Sequence, residues 1–113
     1  MAVINGTEID LMPTAGMREE AQRYRDWKAE GEGGGTEVAA RRATQILSGN
    51  ELSPDVVVQM SAWFARHEVD KEGKGFSPGE GYPSKGRVAW AAWGGDSGKS
   101  FSDAKSATIK KNT

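Results

Sequence analysis

A phosphate-binding loop is the first chemistry that the residue types suggest, because residues 97–100 read Ser-Gly-Lys-Ser. Such a loop needs the pattern Gly-x-x-x-x-Gly-Lys-Ser/Thr, so that successive backbone N–H groups wrap the phosphates. Counting back five positions from Gly98 reaches Trp93, and Gly94 is one residue too close. The segment therefore predicts a flexible turn between two helices and no nucleotide site.

Residues 70–75, Asp-Lys-Glu-Gly-Lys-Gly, look like the start of a calcium-binding loop. They supply Asp at position 1, Glu at position 3 and Gly at position 6 of that loop. Position 5 is then Lys74, a cation where a ligand belongs, and position 12 is Gly81 instead of a bidentate Glu. We expect a charged turn here and no metal site.

His67 is the only histidine, and Glu68 and Asp70 lie close to it in the sequence. A single His without a second His or a Cys makes a poor metal site. No Ser lies in a Gly-x-Ser-x-Gly turn that would expose a nucleophile. We expect the imidazole to pack at the edge of the core with its polar tip hydrogen-bonded. The sequence thus predicts no catalytic residue, no metal and no cofactor, and we expect the protein not to be an enzyme.

Two helices joined by the link 48–53 outline a helix-turn-helix, whose recognition helix would carry Gln59, Ser61 and Arg66. That helix begins with Asp55, which DNA phosphates would repel. The net charge is −1, whereas nucleic-acid-binding domains usually carry a basic excess. Nucleic acid is therefore a secondary hypothesis. Its candidate phosphate contacts would be Arg41, Arg42, Lys105, Lys110 and Lys111.

Tryptophans at helical spacing have two interpretations. Trp63, Trp90 and Trp93 could form a platform on which bases or sugars stack. In a chain with only 36% hydrophobic residues, they are better explained as core, because each ring buries a large area. The predicted structural core is Trp63, Phe64, Trp90 and Trp93.

The length of 113 residues suits one domain with one core. The chain has no Cys, which excludes disulfides and thiolate chemistry. No apolar run is long enough to span a membrane, and the first residues lack the charged and apolar regions of a signal peptide. The default location is the cytoplasm in which the protein is made, and we expect no membrane partner.

Cap residues and glycines divide the chain into four or five helices. The first follows the cap Thr14 and ends at the glycine run 31–35, and the second begins at Thr36 and ends before Gly49. The third has the clearest start, because Ser53 is followed by proline and aspartate at the first helical positions. Its apolar positions predict that it is the central helix.

The second half of the chain begins with a Gly/Pro loop over 71–84, whose rings Phe76 and Tyr82 are expected to pin it onto the core. A fourth helix runs from about Ser84 to Trp93 and is stopped by two glycines. A weaker final helix would cover 100–111, with Phe101, Ala104 and Thr108 on one side.

Residues 1–11 predict a short hairpin, because Asn5-Gly6 suits the tight turn between two strands. An isolated hairpin is marginal in water and needs a surface. That surface is either the protein's own core or a neighbouring subunit to which the arm adds strands. In the second case the partner-binding residues would be Val3, Ile4, Ile9 and Leu11.

Several blocks along residues 13–101 are specific in order and spacing. They are Pro13–Met17, Glu20–Arg23, Gly34–Val38, Phe64–Lys71, Gly75–Glu80, Tyr82–Ser84 and Trp90–Asp96. Together they resemble a small domain encoded in tailed-bacteriophage genomes, which occurs alone or attached to head-maturation (prohead) protease and other virion-related proteins. The resemblance implies a head-associated accessory role and carries over no catalytic residue.

The expected fold is all-α, with four to five short helices around a Trp-rich core and a short extended or hairpin N-terminal arm. We divide the chain into an arm (1–13), a helical domain (14–96) and a basic C-terminal helix or tail (97–113). The leading hypothesis is a bacteriophage structural protein of the virion, a capsid decoration or cement protein that binds the major capsid protein or another head protein. The alternatives are a nucleic-acid-binding module and an assembly or protease-associated factor absent from the mature particle.

Overall fold

Five α-helices and an N-terminal hairpin make up the computed structural model, which describes residues 1–113. A short 3-10 helix, Glu68–Glu72, follows the third α-helix. The elements are β1 (Ala2–Ile4), β2 (Thr7–Ile9), α1 (Ala15–Ala29), α2 (Glu37–Leu47), α3 (Pro54–His67), α4 (Lys85–Ala92) and α5 (Gly95–Lys111). The all-α fold predicted from the sequence is confirmed.

Four helices begin at a side-chain cap, of which the sequence analysis predicted Thr14 and Ser53 as caps and Thr36 and Ser84 only as helix starts. In each, the hydroxyl oxygen of the cap residue accepts a hydrogen bond from the backbone N–H three residues later, which contributes about 1 kcal/mol. The caps are Thr14 on α1, Thr36 on α2, Ser53 on α3 and Ser84 on α4.

The hairpin pairs β1 with β2 in antiparallel register, with Ala2 opposite Ile9 and Ile4 opposite Thr7. Asn5 and Gly6 both adopt positive φ, 48° and 82°, as the predicted two-residue turn requires. The predicted hairpin is therefore confirmed.

The arm is packed on the protein's own core, which corrects part of the partner-binding prediction. Ile9 and Leu11 are 4% and 0% exposed, so neither can contact a neighbour. The backbone N–H of Leu52 donates to the carbonyl of Leu11 at 3.0 Å, which ties the arm to the link before α3. Ile9 ends β2 with its side chain buried, Leu11 follows that strand, and Val3 in β1 is exposed.

One core joins all the helices. α1 packs against α2, α4 and α5, while α3 packs mainly against α5. The four predicted core residues, Trp63, Phe64, Trp90 and Trp93, are all buried. The loop rings pin the 73–84 segment as predicted, because Phe76 meets the ring of Trp90 and the Tyr82 ring meets that of Trp27.

The final helix starts earlier and is more deeply packed than predicted. α5 begins at Gly95, so the boundary placed between residues 96 and 97 falls inside a helix, and 97–100 is no flexible turn. Phe101 is buried, whereas Ala104 and Thr108, predicted on the same side of the helix, are exposed. The buried side contains Gly98, Phe101, Ser102, Ser106 and Ile109.

Small residues explain why this helix was misread. A Cβ on Gly98 would lie 2.3 Å from the carbonyl oxygen of Trp93 and 3.2 Å from the ring of Phe64. The backbone of α5 therefore approaches its neighbours closely, and its buried surface is made of glycine and serine as much as of apolar side chains. A hydrophobic pattern cannot reveal such a face. None of the helices has the length and apolar composition needed to cross a membrane.

Candidate functional site

His67 lies at one end of a column of stacked groups. Its imidazole stacks on the indole of Trp63 with 4.4 Å between ring centroids, and its Nδ1 lies 3.4 Å from the carboxylate of Asp70. Glu68 faces away toward Lys99, at 3.8 Å. The predicted packing of His67 at the core edge is confirmed, whereas its polar tip lies beside Asp70 without a hydrogen bond that meets normal geometry.

The Ser-Gly-Lys-Ser segment forms the first turns of α5. The ammonium of Lys99 donates to the carboxylate of Asp103 at 2.7 Å, and this bond raises the pKa of Lys99. Burial acts to raise the pKa of Asp103, but hydrogen bonds from Lys99 and Ser61 outweigh it and hold that pKa below its usual value. The lysine is therefore engaged within the protein.

A polar cavity of about 300 Å³ opens where α5 begins, between α1 and α4. Arg87 donates to the carboxylate of Glu20 at 2.8 Å, and the indole N–H of Trp90 donates to Asp96 at 3.0 Å. Burial acts to raise the pKa of Asp96, but the bonds from Lys71 and Trp90 lower it overall.

The carboxylate of Glu20 also lies close to the start of α5. Gly94 has no side chain to accept the first N–H groups of that helix, and a Cβ on Gly95 would lie 2.4 Å from the Glu20 carboxylate. A carboxylate near the N-terminus of a helix is favourable. Glu20 and Asp96 therefore have partners within the protein, while the Nη1 of Arg87 is buried without a hydrogen-bond partner.

The acidic turn after α3 does not form a metal site. Asp70 lies against α4, because a Cβ on Gly86 would be 3.2 Å from its carboxylate carbon. Lys74 pairs with Glu80 at 3.2 Å. Nowhere in residues 1–113 do three His, Cys, Asp or Glu side chains form a group that could hold a metal ion.

Arg42 is not a phosphate contact, which corrects the sequence prediction. It is 7% exposed, its guanidinium lies 5.3 Å from the ring centroid of Trp93, and it donates to the side-chain oxygens of Gln45 and Gln59. Burial, more than the nearby Arg41, lowers the pKa of Arg42. Gln45, Gln59 and Trp93 therefore enclose the guanidinium, and DNA cannot reach it.

Of the remaining predicted phosphate contacts, Arg41 lies on α2, and Lys105, Lys110 and Lys111 lie on α5. Arg41 is exposed on α2, whereas Lys110 and Lys111 are exposed at the end of α5. Lys105 is half-buried, with its ammonium 5.9 Å from the ring centroid of Phe101.

The outer edge of the hairpin is available for pairing. Ile4 and Thr7 flank the two-residue turn and form a hydrogen-bonded pair. Because hydrogen-bonded and non-hydrogen-bonded pairs alternate along antiparallel strands, the next pair, Val3 and Glu8, is non-hydrogen-bonded. The backbone N–H and C=O groups of that pair therefore point away from the hairpin. β2 contacts α5, and β1 carries the free edge. Val3 is 64% exposed there.

A second cavity, of about 350 Å³, lies between the start of α2, the end of α3 and the start of α4. We call it the ring groove. Its lining includes Trp63, His67 and Trp93, all of which the sequence had suggested as residues of interest. The lining also includes Gly34, Gly35, Lys85, Gly86 and Ala89, which were not recognised from the sequence.

The glycine run and the glycine in α4 were a signal for this juxtaposition. A Cβ on Gly34 would lie 2.5 Å from the carbonyl oxygen of Lys85, so the two backbones touch. From the sequence, the run 31–35 was interpreted only as the end of a helix, and Gly86 was given no role.

In comparisons with protein-family models, curated proteins and solved structures, nothing matches this chain.

Proposed function

We propose that the protein is a head-associated structural protein of a tailed bacteriophage, a capsid decoration or cement protein that binds assembled shell. The observation that carries the proposal is the hairpin, which is already formed and keeps the edge of β1 open. The resemblance of residues 13–101 to a phage-encoded domain supplies the particle context.

An open strand edge suits a partner that contributes an extended segment. The outward N–H and C=O of Val3 can pair with such a strand, and its exposed side chain can fill a small apolar depression beside it. Ile9 and Leu11 anchor the hairpin to the core, so little ordering is needed on binding. The proposed partner is the major capsid protein or another head protein.

Nucleic-acid binding is not favoured by any feature of the fold. Arg42 is enclosed, Lys99 is paired with Asp103, and the net charge is −1. An assembly factor that leaves before maturation would use the same hairpin edge. The two roles therefore differ in the copy number of the protein in the finished particle.

Quantitative mass spectrometry of purified particles tests the particle role first. A copy number matching the shell subunits supports decoration, and a number matching a single ring of subunits indicates the neck or tail instead. Absence from the mature particle would contradict decoration and leave the assembly factor.

A backbone variant tests the edge itself. Val3→Pro removes the outward N–H without breaking a bond inside the hairpin, and proline is tolerated on an edge strand. Val3→Ala is the matched control, because it shortens the side chain and keeps the N–H. We expect Val3→Pro to weaken binding to empty shells about tenfold or more, equivalent to about 1.4 kcal/mol, and Val3→Ala to weaken it less. Full coating of shells by folded Val3→Pro would contradict the proposed edge.

A further inference from the structure

The turn of the hairpin contains the only Asn-Gly pair of the chain, Asn5 and Gly6, and both residues are exposed to water. In such a pair the backbone nitrogen of the glycine can attack the side-chain carbonyl carbon of the asparagine, because glycine has no side chain to hinder the approach. The bond from that carbon to the amide nitrogen breaks, ammonia leaves, and a five-membered succinimide ring forms. Water then opens the ring at one carbonyl to give aspartate, or at the other to give isoaspartate.

The attacking group of this reaction is not held by the fold. No backbone carbonyl of the chain accepts the N–H of Gly6. A Cβ on Gly6 would meet no atom within 4 Å, so the turn has open space for the ring. The turn therefore opposes the reaction only through the position of the Asn5 side chain.

A contact with the far end of the chain holds that side chain. The Nδ2 of Asn5 donates to the carbonyl oxygen of Asn112, and the hydroxyl of Thr7 donates to the side-chain oxygen of Asn112 at 2.9 Å. The amide of Asn5 must leave this acceptor before its carbon can meet the nitrogen of Gly6. Ring closure therefore requires the hairpin to lift from the end of α5, a local opening of the fold.

We propose that Asn5 is a site of spontaneous deamidation, guarded by its contact with Asn112, and that its conversion releases the hairpin from the end of α5. Aspartate at position 5 has no N–H to donate, and its carboxylate would face the carbonyl oxygen of Asn112, so repulsion replaces the hydrogen bond. Isoaspartate also adds one atom to the backbone, which a two-residue turn of fixed register does not accommodate. The release is irreversible, because the ammonia has left.

One consequence of this modification rests on the proposed function. The proposed shell-binding edge belongs to the same hairpin, so a converted chain would lose the edge that is formed before binding. The modification itself is measured on the isolated protein. Its failure would leave shell binding by the original chain untouched, and failure of shell binding would leave the modification untouched.

Peptide mapping of the full chain, incubated at neutral and at mildly alkaline pH, follows the reaction. The tryptic peptide 1–18 contains Asn5 as its only side-chain amide, so its change of mass reports this residue alone. We expect conversion to be faster at the higher pH, because the nitrogen of Gly6 must lose its proton to attack.

Two comparisons show whether the Asn-Gly pair is responsible. Asn50 is also exposed but is followed by Glu51, whose side chain hinders attack, so Asn50 should convert more slowly in the same sample. Asn5→Gly keeps a pair that suits the turn and should show no change of mass in this peptide. Absence of conversion at either pH, or conversion of Asn5 no faster than that of Asn50, would overturn the proposal.

Two truncations test the guard. Removal of Asn112 and Thr113 takes away both acceptors, whereas removal of Thr113 alone is the matched control and keeps them. We expect the first truncation to convert Asn5 faster than the second. The original chain unfolded in urea should convert about tenfold faster than the folded chain or more, because local opening limits the folded chain. Equal rates in the two truncations, or in the folded and unfolded chain, would overturn the proposal.

NMR spectra of the converted protein measure the release. Nuclear Overhauser contacts between Thr7 and Asn112 should disappear on conversion, while the contacts between Trp63 and Trp93 in the core remain as the control. Persistence of the contacts between Thr7 and Asn112 in fully converted protein would overturn the proposed release of the hairpin.

Discussion

Arg42 shows how a single side chain can be misjudged from its type. Its neighbour Arg41 is exposed, and the pair looks like a basic patch, but the helical turn sends Arg42 inward onto Trp93. The buried guanidinium has no carboxylate partner, and its Nε has no hydrogen-bond partner. Its aliphatic stem and planar head therefore act mainly as packing against an indole face.

The packing role of Arg42 can be separated from its charge. Arg42→Met keeps most of the volume and removes the cost of burying a cation, so we expect a stability within about 1 kcal/mol of the original chain. Arg42→Ala leaves the face of Trp93 uncovered and should lower the free energy of unfolding by about 2 kcal/mol or more. Urea denaturation followed by tryptophan fluorescence measures both. Equal losses of unfolding free energy in the two variants would show that the charged guanidinium, and not its packing against Trp93, stabilises the fold.

The carboxylate of Asp103 makes the stability of the fold depend on pH. Its folded-state pKa is lower than that of the unfolded chain, so it stabilises the fold above the unfolded value of about 3.9, and this contribution is lost as the pH falls through the lower folded value. We expect Asp103→Asn to have a lower Tm than the original chain at pH 7. Because the carboxylate is partly exposed, solvent screening limits the effect to about 1 kcal/mol or less.

The pH profile of that difference distinguishes the mechanism. The gap in Tm between the original chain and Asp103→Asn should begin to narrow as the pH falls below about 4, because Asp103 of the unfolded chain is then protonated. It should close only at a lower pH, where Asp103 of the folded protein is protonated as well. Ser61→Ala, which removes one of the two donors to Asp103, should show a smaller gap with the same pH dependence. A gap in Tm that stays constant down to pH 2.5, about one unit below the usual pKa of Asp, would contradict the proposed role of the Asp103 charge.

At the scale of elements, glycines decide where helices meet. Gly34 adopts a φ of 112°, and its Cα lies directly against the backbone of Lys85 at the start of α4. Gly31 also has positive φ, 91°, but faces open space. The two positions therefore separate the cost of a strained backbone from the cost of a steric clash.

Alanine at these two positions should have different consequences. Gly31→Ala should cost about 1 kcal/mol, the strain of a side chain in the left-handed region. Gly34→Ala adds a clash at 2.5 Å and should cost clearly more, about 3 kcal/mol, because α4 must move away from the loop. Thermal unfolding followed by circular dichroism gives the comparison. Similar Tm values for the two variants would argue that the contact between loop and helix is not needed.

The sequence predicted the elements whose signals are local. The hydroxyl caps, the Asn-Gly turn and the Trp/Phe core all depend on residues close in sequence or on apolar spacing. The start of α5 was missed because Gly94 both ends one helix and precedes the next, and because Ser102 and Ser106 are buried without being apolar. The ring groove depends on Gly34 meeting Lys85 across the fold, and no local pattern reports such a meeting.

At the scale of the whole molecule, the two ends of the chain stabilise each other. The side chains of Asn5 and Thr7 donate to Asn112, at the end of α5, and the N-terminal ammonium pairs with Glu51 in the link before α3. The arm is therefore a structural part of the domain, and a study of its binding role must keep its inner half in place.

Two truncations test this division of the arm. Removal of residues 1–8 deletes the hairpin but keeps Ile9 and Leu11, so the core stays filled and the protein should remain folded with a modest loss of stability. Removal of residues 1–12 also takes away both buried side chains, each contributing about 1.5–3 kcal/mol. Since small domains are stable by only about 5–15 kcal/mol in total, we expect the longer truncation to unfold at much lower urea concentration, as measured by tryptophan fluorescence. Coincident unfolding curves would mean that the core closes without Ile9 and Leu11. Unfolding of the shorter truncation in the absence of urea would mean that the hairpin itself holds the domain together.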